Sequence, residues 1–449
     1  MNAELIARYD RRIPRYTSYP TAPHFTPDVN AAAYTDWLHV LPADETLSLY
    51  LHVPFCAELC LYCGCHTTVA RRYAPVAAYV DLMEREIALV GRHLGDGRPV
   101  AHIHWGGGTP TILSPRHLVE ITDIIRARFN VTDTAEVAIE IDPRTLLREH
   151  VDALAAMGVN RASLGVQDFD ETVQRAINRI QTYEQTAQVA GWLREAGITS
   201  LNLDLMYGLP HQTVTSVVKS VTTALQLMPA RIALFGYAHV PWMKRHQALL
   251  PEKKLPDAAE RFRQMQAAAE TITKAGYVAI GLDHFARPND RLTDSLGAGG
   301  LRRNFQGYTT DAAPTLIGFG TSSIGKLPQG YVQNASTTVG YRTAIMAEQL
   351  ATVRGVVLTA EDKLRGAIIE RLMCELAVDL ARMIPEHGGD VDDFLPELAS
   401  IDAMAEDGLV TREGLRITVR NEARPFLRSV CAVFDRHLSA EGTRHSRAF

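Results

Sequence analysis

A short cysteine-rich stretch constrains this chain more than any other feature of its sequence. Four of the six cysteines lie within ten residues, at Cys56, Cys60, Cys63 and Cys65, whereas a disulfide framework would spread them along the chain. Three closely spaced thiolates can bind three irons of a [4Fe-4S] cluster and leave the fourth iron open to a ligand. The spacing therefore predicts an iron–sulfur site on Cys56, Cys60 and Cys63.

A structural zinc ion is the alternative interpretation of the same stretch. Cys65 and His66 could complete a tetrahedron of ligands. Structural zinc sites usually use two pairs of ligands with a long spacer between them, which this loop lacks. The cluster is favoured, and a zinc-stabilised interaction protein stays open as a hypothesis.

The chain around this loop alternates between two kinds of segment. Apolar stretches rich in β-branched residues occur at 47–53, 100–105, 135–141, 161–166, 200–206, 231–237 and 277–281. Segments of helical length and spacing lie between them, at 76–94, 115–129, 182–196, 214–227 and 258–275. This alternation predicts an α/β fold, a partial (β/α) barrel with six or seven parallel strands over about residues 40–355.

Unusual polar residues follow these strands, where a barrel collects its chemistry. The cysteine loop follows the first strand and Gly106-Gly107-Gly108-Thr109 follows the second. The later strand ends carry Glu140, Asp142, Gln167, Asp168, Asp204, His239, Asp283 and His284. We expect them to share one rim.

The pattern changes after about residue 355, to helices at 361–383, 391–407 and 425–438 with a two-strand turn between the last two. This order is typical of a winged helix, a unit that often binds DNA. Residues 361–449, however, contain 12 basic and 17 acidic residues, and a module with net negative charge is poorly suited to bind the phosphates of a nucleic acid. We therefore predict three parts: an N-terminal segment (1–39) that closes over the site, the barrel (40–355), and a mainly helical, winged-helix-like C-terminal domain (356–449) that serves as a lid or for packing.

Composition narrows the setting in which the chain works. The formal net charge is −5, and the arginine-rich N-terminus lacks the apolar core of a signal peptide. No stretch is apolar enough to span a bilayer. We expect a cytoplasmic protein, a monomer, with no nucleic-acid partner and no membrane span.

The cysteine spacing after a first barrel strand resembles the radical S-adenosylmethionine (SAM) superfamily. There the open iron of the cluster binds the amino and carboxylate groups of SAM, and the cofactor supplies the chemistry. A glycine run after the second strand suits this role, because a backbone without side chains can approach the amino-acid part of SAM closely.

Longer motifs resemble one family within that superfamily, the oxygen-independent coproporphyrinogen III dehydrogenases (oxidases). They are RYTSYPTA (15–22), YLHVPFC (50–56), CGC (63–65), HWGGGTPT (104–111), GVQDF (165–169), DHFARP (283–288) and RNFQGYTT (303–310). The match runs from about Tyr9 to the last helix.

The resemblance implies two SAM molecules per chain and a set of residues for each. Those implied for the first are Tyr50, Gly107, Glu140 and Ile324. Those implied for the second are Tyr62, Gly108, Thr109, Gln167, Arg179, Asp204 and Ala238. Carboxylates can accept hydrogen bonds from the two hydroxyl groups of a ribose, and an arginine can hold a carboxylate with two hydrogen bonds.

The same resemblance suggests Tyr50, His52 and Cys65 as catalytic residues. Cys65 is a non-ligand cysteine, and the related haem-chaperone branch typically has an aromatic residue there. His52, His239 and His284 could transfer protons or only complete hydrogen bonds in the core. The four propionates of the implied substrate call for cationic clamps, for which the candidates are Arg15, Arg71, Arg72, Arg287, Arg302 and Arg303.

The reaction implied is the decarboxylation of two propionates of coproporphyrinogen III to vinyl groups, giving protoporphyrinogen IX in anaerobic haem biosynthesis. Its partners would be the substrate and a reductant such as flavodoxin or ferredoxin. A haem-binding or haem-transfer protein on a radical SAM scaffold and an enzyme for another tetrapyrrole are the remaining alternatives.

Overall fold

The computed structural model of this protein describes residues 3–438. The first part of the chain alternates strands and helices. In chain order its elements are α1 (Ala3–Tyr9), α2 (Ala31–His39), β1 (Leu47–Val53), β2 (Phe55–Cys56), β3 (Thr68–Val69), α3 (Ala74–Leu94), β4 (Arg98–Gly107), α4 (Pro115–Arg128), β5 (Phe129–Ile141), α5 (Arg148–Ala156), β6 (Arg161–Gln167), α6 (Glu171–Ala176), α7 (Tyr183–Glu195), β7 (Ser200–Tyr207), α8 (Val214–Leu225), β8 (Arg231–Gly236) and α9 (Ala258–Lys274).

The second part has shorter strands and ends in a small helical unit. Its elements are β9 (Val278–Ile280), β10 (His284–Ala286), α10 (Arg291–Asp294), β11 (Arg302–Asn304), β12 (Gly307–Thr309), β13 (Thr315–Phe319), β14 (Ile324–Leu327), β15 (Gly330–Asn334), α11 (Thr338–Met346), β16 (Thr352–Val357), α12 (Ala360–Glu375), β17 (Ala377–Asp379), α13 (Leu380–Glu386), α14 (Leu395–Glu406), β18 (Val410–Glu413), β19 (Arg416–Val419) and α15 (Leu427–Ala432).

One twelve-stranded sheet organises the molecule, in the order β16-β15-β14-β13-β1-β4-β5-β6-β7-β8-β10-β9. The strands from β13 to β8 are parallel to their neighbours, and the strands at both edges are antiparallel. Seven parallel strands with covering helices form an open, partial barrel, which confirms the predicted α/β class.

Local sequence explains where the helices begin. The Thr182 hydroxyl accepts from the backbone N–H of Gln185, whose side chain accepts from the N–H of Thr182, and this capping box starts α7. Ser114 caps α4 in a similar way and is followed by a proline in the first turn. The apolar faces of these helices then pack on the buried strands.

The seventh parallel strand is not the predicted one. The segment predicted at 277–281 forms β9, an antiparallel edge strand beyond β10. The seventh parallel strand is β13, which pairs with the opposite side of β1. The strand with which a short apolar segment pairs is decided by contacts with distant parts of the chain. Strand propensity, which is a local property, contains no information about that choice.

The unit after β16 has the helix and strand order of a winged helix, with β17, β19 and β18 as its sheet. The helix predicted at 361–383 is interrupted, because Leu376 adopts a left-handed φ of 57° and Ala377–Asp379 pairs with β19. The predicted domain boundaries stay predictions, and the outer ones reach residues 1–2 and 439–449, which lie outside the described residues.

The N-terminal segment packs against this C-terminal unit. Ile6, Tyr9, Ile13, Tyr16 and Tyr19 share its hydrophobic core. Two polar contacts reinforce the packing: an Arg8–Asp407 ion pair of 2.7 Å and a 3.1 Å hydrogen bond from the Tyr16 hydroxyl to Asp435. Within residues 3–438, no helix has both the length and the apolar character needed to cross a bilayer.

Candidate active site

The cysteine loop leaves the carboxyl end of β1. Strands β2 and β3 pair in parallel and close the base of the loop, with Phe55 opposite Thr68 and Cys56 opposite Val69. Cys60 is buried, Cys56 and Cys63 are half-buried and Cys65 is exposed. The loop is therefore a defined element, with its thiols at different depths.

Neighbouring segments hold the backbone of this loop. Asn178 Nδ2 donates to the carbonyl of Leu59 (2.8 Å), and the N–H of Leu61 donates to the carbonyl of Ile177 (2.9 Å). The segment after β8 holds the other end: Lys244 Nζ, His246 Nε2 and Gln247 Nε2 donate to the carbonyls of Cys65 (2.8 Å), Cys63 (2.8 Å) and Tyr62 (2.9 Å) in turn. The sequence did not single out this segment.

Hydrogen-bond donors surround the three predicted ligand sulfurs. The Thr67 hydroxyl lies 3.1 Å and the Thr109 hydroxyl 3.6 Å from Cys56 Sγ. The backbone N–H of Cys65 lies 3.4 Å from Cys63 Sγ. Such donors stabilise thiolates and the sulfurs of an iron–sulfur cluster.

Two guanidinium groups approach the third sulfur. Arg144 Nη2 and Arg179 Nη1 each lie 3.6 Å from Cys60 Sγ. Both arginines also bind Asp142, which lies just after β5. Two cations beside a buried thiol suit a negatively charged cluster, so the residues present fit this cofactor.

The thiols are not arranged for a single ion. Among residues 3–438, no three Cys, His, Asp or Glu side chains converge closely enough to hold one metal ion. A cubane binds each thiolate through a different iron, so its three ligands need not converge on one point.

The glycine run at the end of β4 forms a platform beside the loop. A Cβ on Gly107, whose φ is +112°, would lie 2.7 Å from the His52 ring, and a Cβ on Gly108 would lie 2.5 Å from the carbonyl oxygen of Phe55. Only glycine fits at these two positions. Because no side chain projects from them, a ligand can approach the backbone closely. Glu140 Oε2 accepts from the Gly107 N–H (3.2 Å), which brings two predicted residues together.

Tyr50 and His52 form one wall of the site. His52 Nε2 lies 3.0 Å from the carbonyl oxygen of His66 and must therefore carry a proton. Burial lowers the pKa of His52, so the ring is neutral and Nδ1 is an acceptor. The Tyr50 hydroxyl, 3.0 Å away, donates to that nitrogen and keeps its oxygen lone pairs available.

A second carboxylate lies further along the rim. Leu203 and Leu205 pack in the hydrophobic core with the helices, so Asp204, between them, faces the barrel interior. Ser163 Oγ (3.0 Å) and Asn202 Nδ2 (2.8 Å) donate to it. Burial, assisted by the nearby Glu140 charge, raises the pKa of Asp204 to about 6.

Arg179 already has a carboxylate partner. Its two terminal nitrogens lie 3.2 Å from the two oxygens of Asp142, and Nη2 also donates to the carbonyl of Gly165 (2.6 Å). Its Nε is buried and has no hydrogen-bond partner among the described residues. This nitrogen is therefore the Arg179 donor that is not used by residues 3–438 of the protein.

The remaining predicted SAM residues are distributed over the same rim. Gln167 is buried at the end of β6 with a φ of 68°, Ala238 follows β8, and Ile324 begins β14. Tyr62 is half-buried and packs against the cluster that contains Val173 and Ile177.

The structure separates the candidate arginine clamps. Arg71 and Arg72 are exposed just after β3. The prediction that Arg287 lies at the rim is wrong. Its Nε donates to the carbonyl of Pro229, which precedes β8 and therefore lies at the amino end of the strands, opposite the rim. Arg15 and Arg303 line one cavity outside the barrel, and Arg302 Nη1 donates to the carbonyl of Gly299 (2.6 Å).

Comparison with known proteins matches both parts of the chain. Residues 50–224 match the radical SAM superfamily and residues 358–426 match the HemN C-terminal domain. The chain is 51% identical over 449 residues, all of both chains, to the oxygen-independent coproporphyrinogen III oxidase of Bradyrhizobium diazoefficiens. It is 43% identical to that of Paracoccus denitrificans, over 99% of this chain and 98% of the relative.

A solved structure matches at the level of the whole fold. Coproporphyrinogen III oxidase (HemN) from Escherichia coli, described as a radical SAM enzyme, superimposes with a TM-score of 0.90 at 36% identity. The match covers 95% of this chain and 100% of the other.

Proposed function

The chain belongs to the oxygen-independent coproporphyrinogen III oxidases, radical SAM enzymes of haem biosynthesis, and we propose how its own residues serve that reaction. The family implies a [4Fe-4S] cluster and SAM. The single observation that carries the site assignment is the loop of three thiols, each with hydrogen-bond donors, beside a glycine platform.

Cys56, Cys60 and Cys63 are the proposed cluster ligands. Arg144 and Arg179, each 3.6 Å from Cys60 Sγ, would donate to that thiolate and offset its charge. Hydrogen bonds to cluster sulfurs make reduction easier, because they stabilise the added negative charge.

Tyr50, Gly107, Glu140 and Ile324 are proposed for the first SAM. The Gly107 platform leaves room for the amino-acid part, and Glu140, half-buried, is positioned by the Gly107 N–H and by His104, 3.4 Å away. Tyr50 is held by His52 and can pack on the sulfonium.

Two SAM molecules per chain are proposed, the second on residues further around the rim. They are Tyr62, Gly108, Thr109, Gln167, Arg179, Asp204 and Ala238. Asp204 would accept from a ribose diol, and the unpartnered Nε of Arg179 would donate to the ligand.

A [4Fe-4S] cluster held by Cys56, Cys60 and Cys63, together with SAM, would supply the one-electron chemistry that removes one hydrogen atom from the β-carbon of a propionate. The propionate then loses carbon dioxide and passes one electron to an acceptor, which leaves a vinyl group. The change occurs at two propionates and turns coproporphyrinogen III into protoporphyrinogen IX.

Tyr50, His52 and Cys65 are the proposed catalytic residues. The neutral His52 fixes the direction of the Tyr50 hydroxyl, so the phenol oxygen can accept a hydrogen bond but is not free to donate one elsewhere. Cys65, exposed next to Cys63, is proposed to contact SAM or substrate. Arg71 and Arg72, exposed beside the loop, are kept as candidate propionate clamps.

The N-terminal segment is proposed to cover the site together with the C-terminal unit. Its first residues pack on that unit, while Arg15 Nη2 reaches the carbonyl of Gly236 at the carboxyl end of β8 (2.9 Å). The segment therefore connects the unit to the rim.

A small one-electron carrier such as flavodoxin or ferredoxin is the proposed reductant. The segment that holds the cysteine loop exposes Trp242, Met243 and Leu249 beside Lys244 and Arg245. An apolar surface with basic neighbours suits an acidic carrier, and it contacts the loop directly.

Anaerobic turnover tests the proposal. Reconstituted protein is incubated with dithionite, SAM and coproporphyrinogen III, and protoporphyrinogen and 5′-deoxyadenosine are measured together. Cys56→Ala should abolish both products and the cluster absorbance. Cys374→Ala, which removes a buried cysteine far along the chain, is the control and should keep them. A Cys56→Ala protein that retains a normal cluster would contradict the ligand assignment.

A further inference from the structure

A cavity of about 620 Å³ lies outside the barrel. Ala233 and Phe235 on β8 are in register with Asp204 and Met206 on β7, which places them on the interior face. Leu234 and Gly236, which line the cavity, therefore face the opposite way, toward α9 and the C-terminal unit. The cavity is separate from the proposed SAM site.

The cavity has an excess of basic side chains. Three carboxylates line it, Glu270, Asp283 and Glu422. Six basic residues line it, namely Arg15, Arg261, Lys274, Arg303, Arg424 and Arg428. Lys274 pairs with Glu270 (2.6 Å) and Arg303 with Asp283 (3.5 Å). Among the lining residues, basic side chains therefore outnumber carboxylates by six to three.

All five lining arginines donate to backbone carbonyls, Arg303 and Arg428 to carbonyls of the N-terminal segment. Arg15 donates to Gly236 (2.9 Å), Arg261 to Tyr237 (2.7 Å) and Arg424 to Gly281. Burial lowers the pKa of Arg261 and Arg424, because a charge inside the protein loses its hydration. Arg261 Nε is also buried without a hydrogen-bond partner among the described residues. A bound anion would offset both costs.

Apolar side chains form the rest of the wall. They include Leu234, Met265, Ala269, Phe285 and Pro425. A small inorganic anion would leave this surface uncovered, whereas a ligand with an apolar body would bury it. The cavity is also large enough for a molecule of the size of a cyclic tetrapyrrole.

We propose that this cavity binds an amphipathic polycarboxylate, an apolar body that carries at least two carboxylates. The ligand would contact the N-terminal segment at Arg15, the barrel at Arg261 and the C-terminal unit at Arg424, and would hold the three together. Propionate-bearing tetrapyrroles belong to this class. Their choice as probes rests on the function proposed above, whereas the ligand class rests on the cavity.

Binding to the full-length holoenzyme tests this site without turnover. Coproporphyrin III, protoporphyrin IX and oleate, with four, two and one carboxylates, are titrated by fluorescence and calorimetry. Arg261→Gln and Arg424→Gln should each weaken one porphyrin-binding event about tenfold or more. Ala269→Phe should do the same by filling the cavity while keeping every charge. Arg263→Gln, on the same helix but paired with Glu260 in solvent, is the matched control and should change nothing.

The outcomes separate the ligand sources and the two proposals. Tighter binding of coproporphyrin or of protoporphyrin at this site identifies a substrate-like or product-like ligand, and either supports the proposal. Equal affinity and stoichiometry in wild type and all three cavity variants would overturn it, as would oleate binding as tightly as the porphyrins. If the variants lose the site while wild type forms no vinyl product, the cavity stands and the reaction assignment fails.

Discussion

The two ends of the barrel interior carry charge in different ways. Strand β5 has two glutamates on this face, Glu140 at the rim and Glu136 four residues closer to the amino end of the barrel. Glu136 lies 2.7 Å from Arg161, and although burial opposes it, Arg161 and Arg231 lower the pKa of Glu136 to about 2. Arg231 in turn pairs with the buried Asp290 at 2.8 Å. The buried acidic groups at the amino end are thus paired with arginines.

At the rim Glu140 and Asp204 lack such arginine partners, although Asp142 nearby pairs with Arg144 and Arg179. Glu140 accepts from a backbone N–H and lies 3.4 Å from His104, and Asp204 has only neutral donors. The pKa of Asp204 is raised to about 6, in the opposite direction to that of Glu136. The ion pairs at the amino end therefore stabilise the barrel, whereas Glu140 and Asp204 at the rim stay available for ligands at a cost in stability.

The largest expected effect comes from breaking the ion pairs at the amino end. Arg231→Ala leaves Asp290 buried without its cation and should destabilise the protein by about 3–5 kcal/mol. Thermal and denaturant unfolding measure the change. Arg175→Ala, which removes an exposed ion pair with Glu171, is the control and should cost no more than about 0.5 kcal/mol. If both substitutions lower the free energy of unfolding by the same amount, the buried ion pairs are no more stabilising than the exposed one, and the comparison fails.

Glu136→Gln tests the ion pairs at the amino end through the pH dependence of the protein's stability. The folded-state pKa of about 2 lies below the unfolded value of about 4.3, so the ionised group adds stability above pH 4.3 that is lost as the pH falls toward 2. The variant should be less stable by up to about 3 kcal/mol at pH 7. Unfolding at a series of pH values should show the gap closing in acid; a gap independent of pH would contradict the ion pairing.

Gly107→Ala tests the rim. The added Cβ meets the His52 ring at 2.7 Å on a backbone with φ of +112°, so SAM affinity should fall about 100-fold, or about 2.8 kcal/mol. Equilibrium dialysis under anaerobic conditions measures the affinity. Gly97→Ala has a similar positive φ but open space around it, so it should strain the fold without changing SAM affinity. Equal SAM affinity in the two variants would show that SAM binding does not depend on the absence of a side chain at Gly107.

The smallest expected effect has the opposite sign. Because the pKa of Asp204 is higher in the folded state, its ionisation costs stability as the pH rises from about 4 to 6. Removing the charge should add up to about 3 kcal/mol at pH 7.5, and losing one acceptor for Ser163 or Asn202 should offset part of it. Asp204→Asn should therefore be about 1 kcal/mol more stable than wild type at pH 7.5 and no more stable at pH 4. It should also bind SAM more weakly. A variant that is less stable at pH 7.5 would place Asp204 among the stabilising groups.

Local patterns were sufficient for much of this protein. The loop cysteines, the glycine platform and six parallel strands follow from spacing, from the absence of side chains and from alternating strand and helix patterns. These are properties of neighbouring residues, and the structure brings Gly107 and Glu140 together as barrel topology predicts. The roles of the SAM residues remain proposals.

Other features depended on distant residues. Leu376 ends a helix with no glycine or proline nearby, because Ala377–Asp379 pairs with a strand that comes about forty residues later. Arg144 and Arg179 reach Cys60 from 84 and 119 residues away, and the loop is held by a segment after β8 that has no recognisable motif.

The sequence by itself determined which residues can do chemistry and on which strand ends they lie. The tertiary structure alone decided that β13 rather than β9 is the seventh parallel strand, that Arg287 is at the wrong end, and that arginines from three parts of the chain line one cavity. The physical reason is that strand partners and buried ion pairs form by closing long loops, and the free energy of that choice depends on the whole fold.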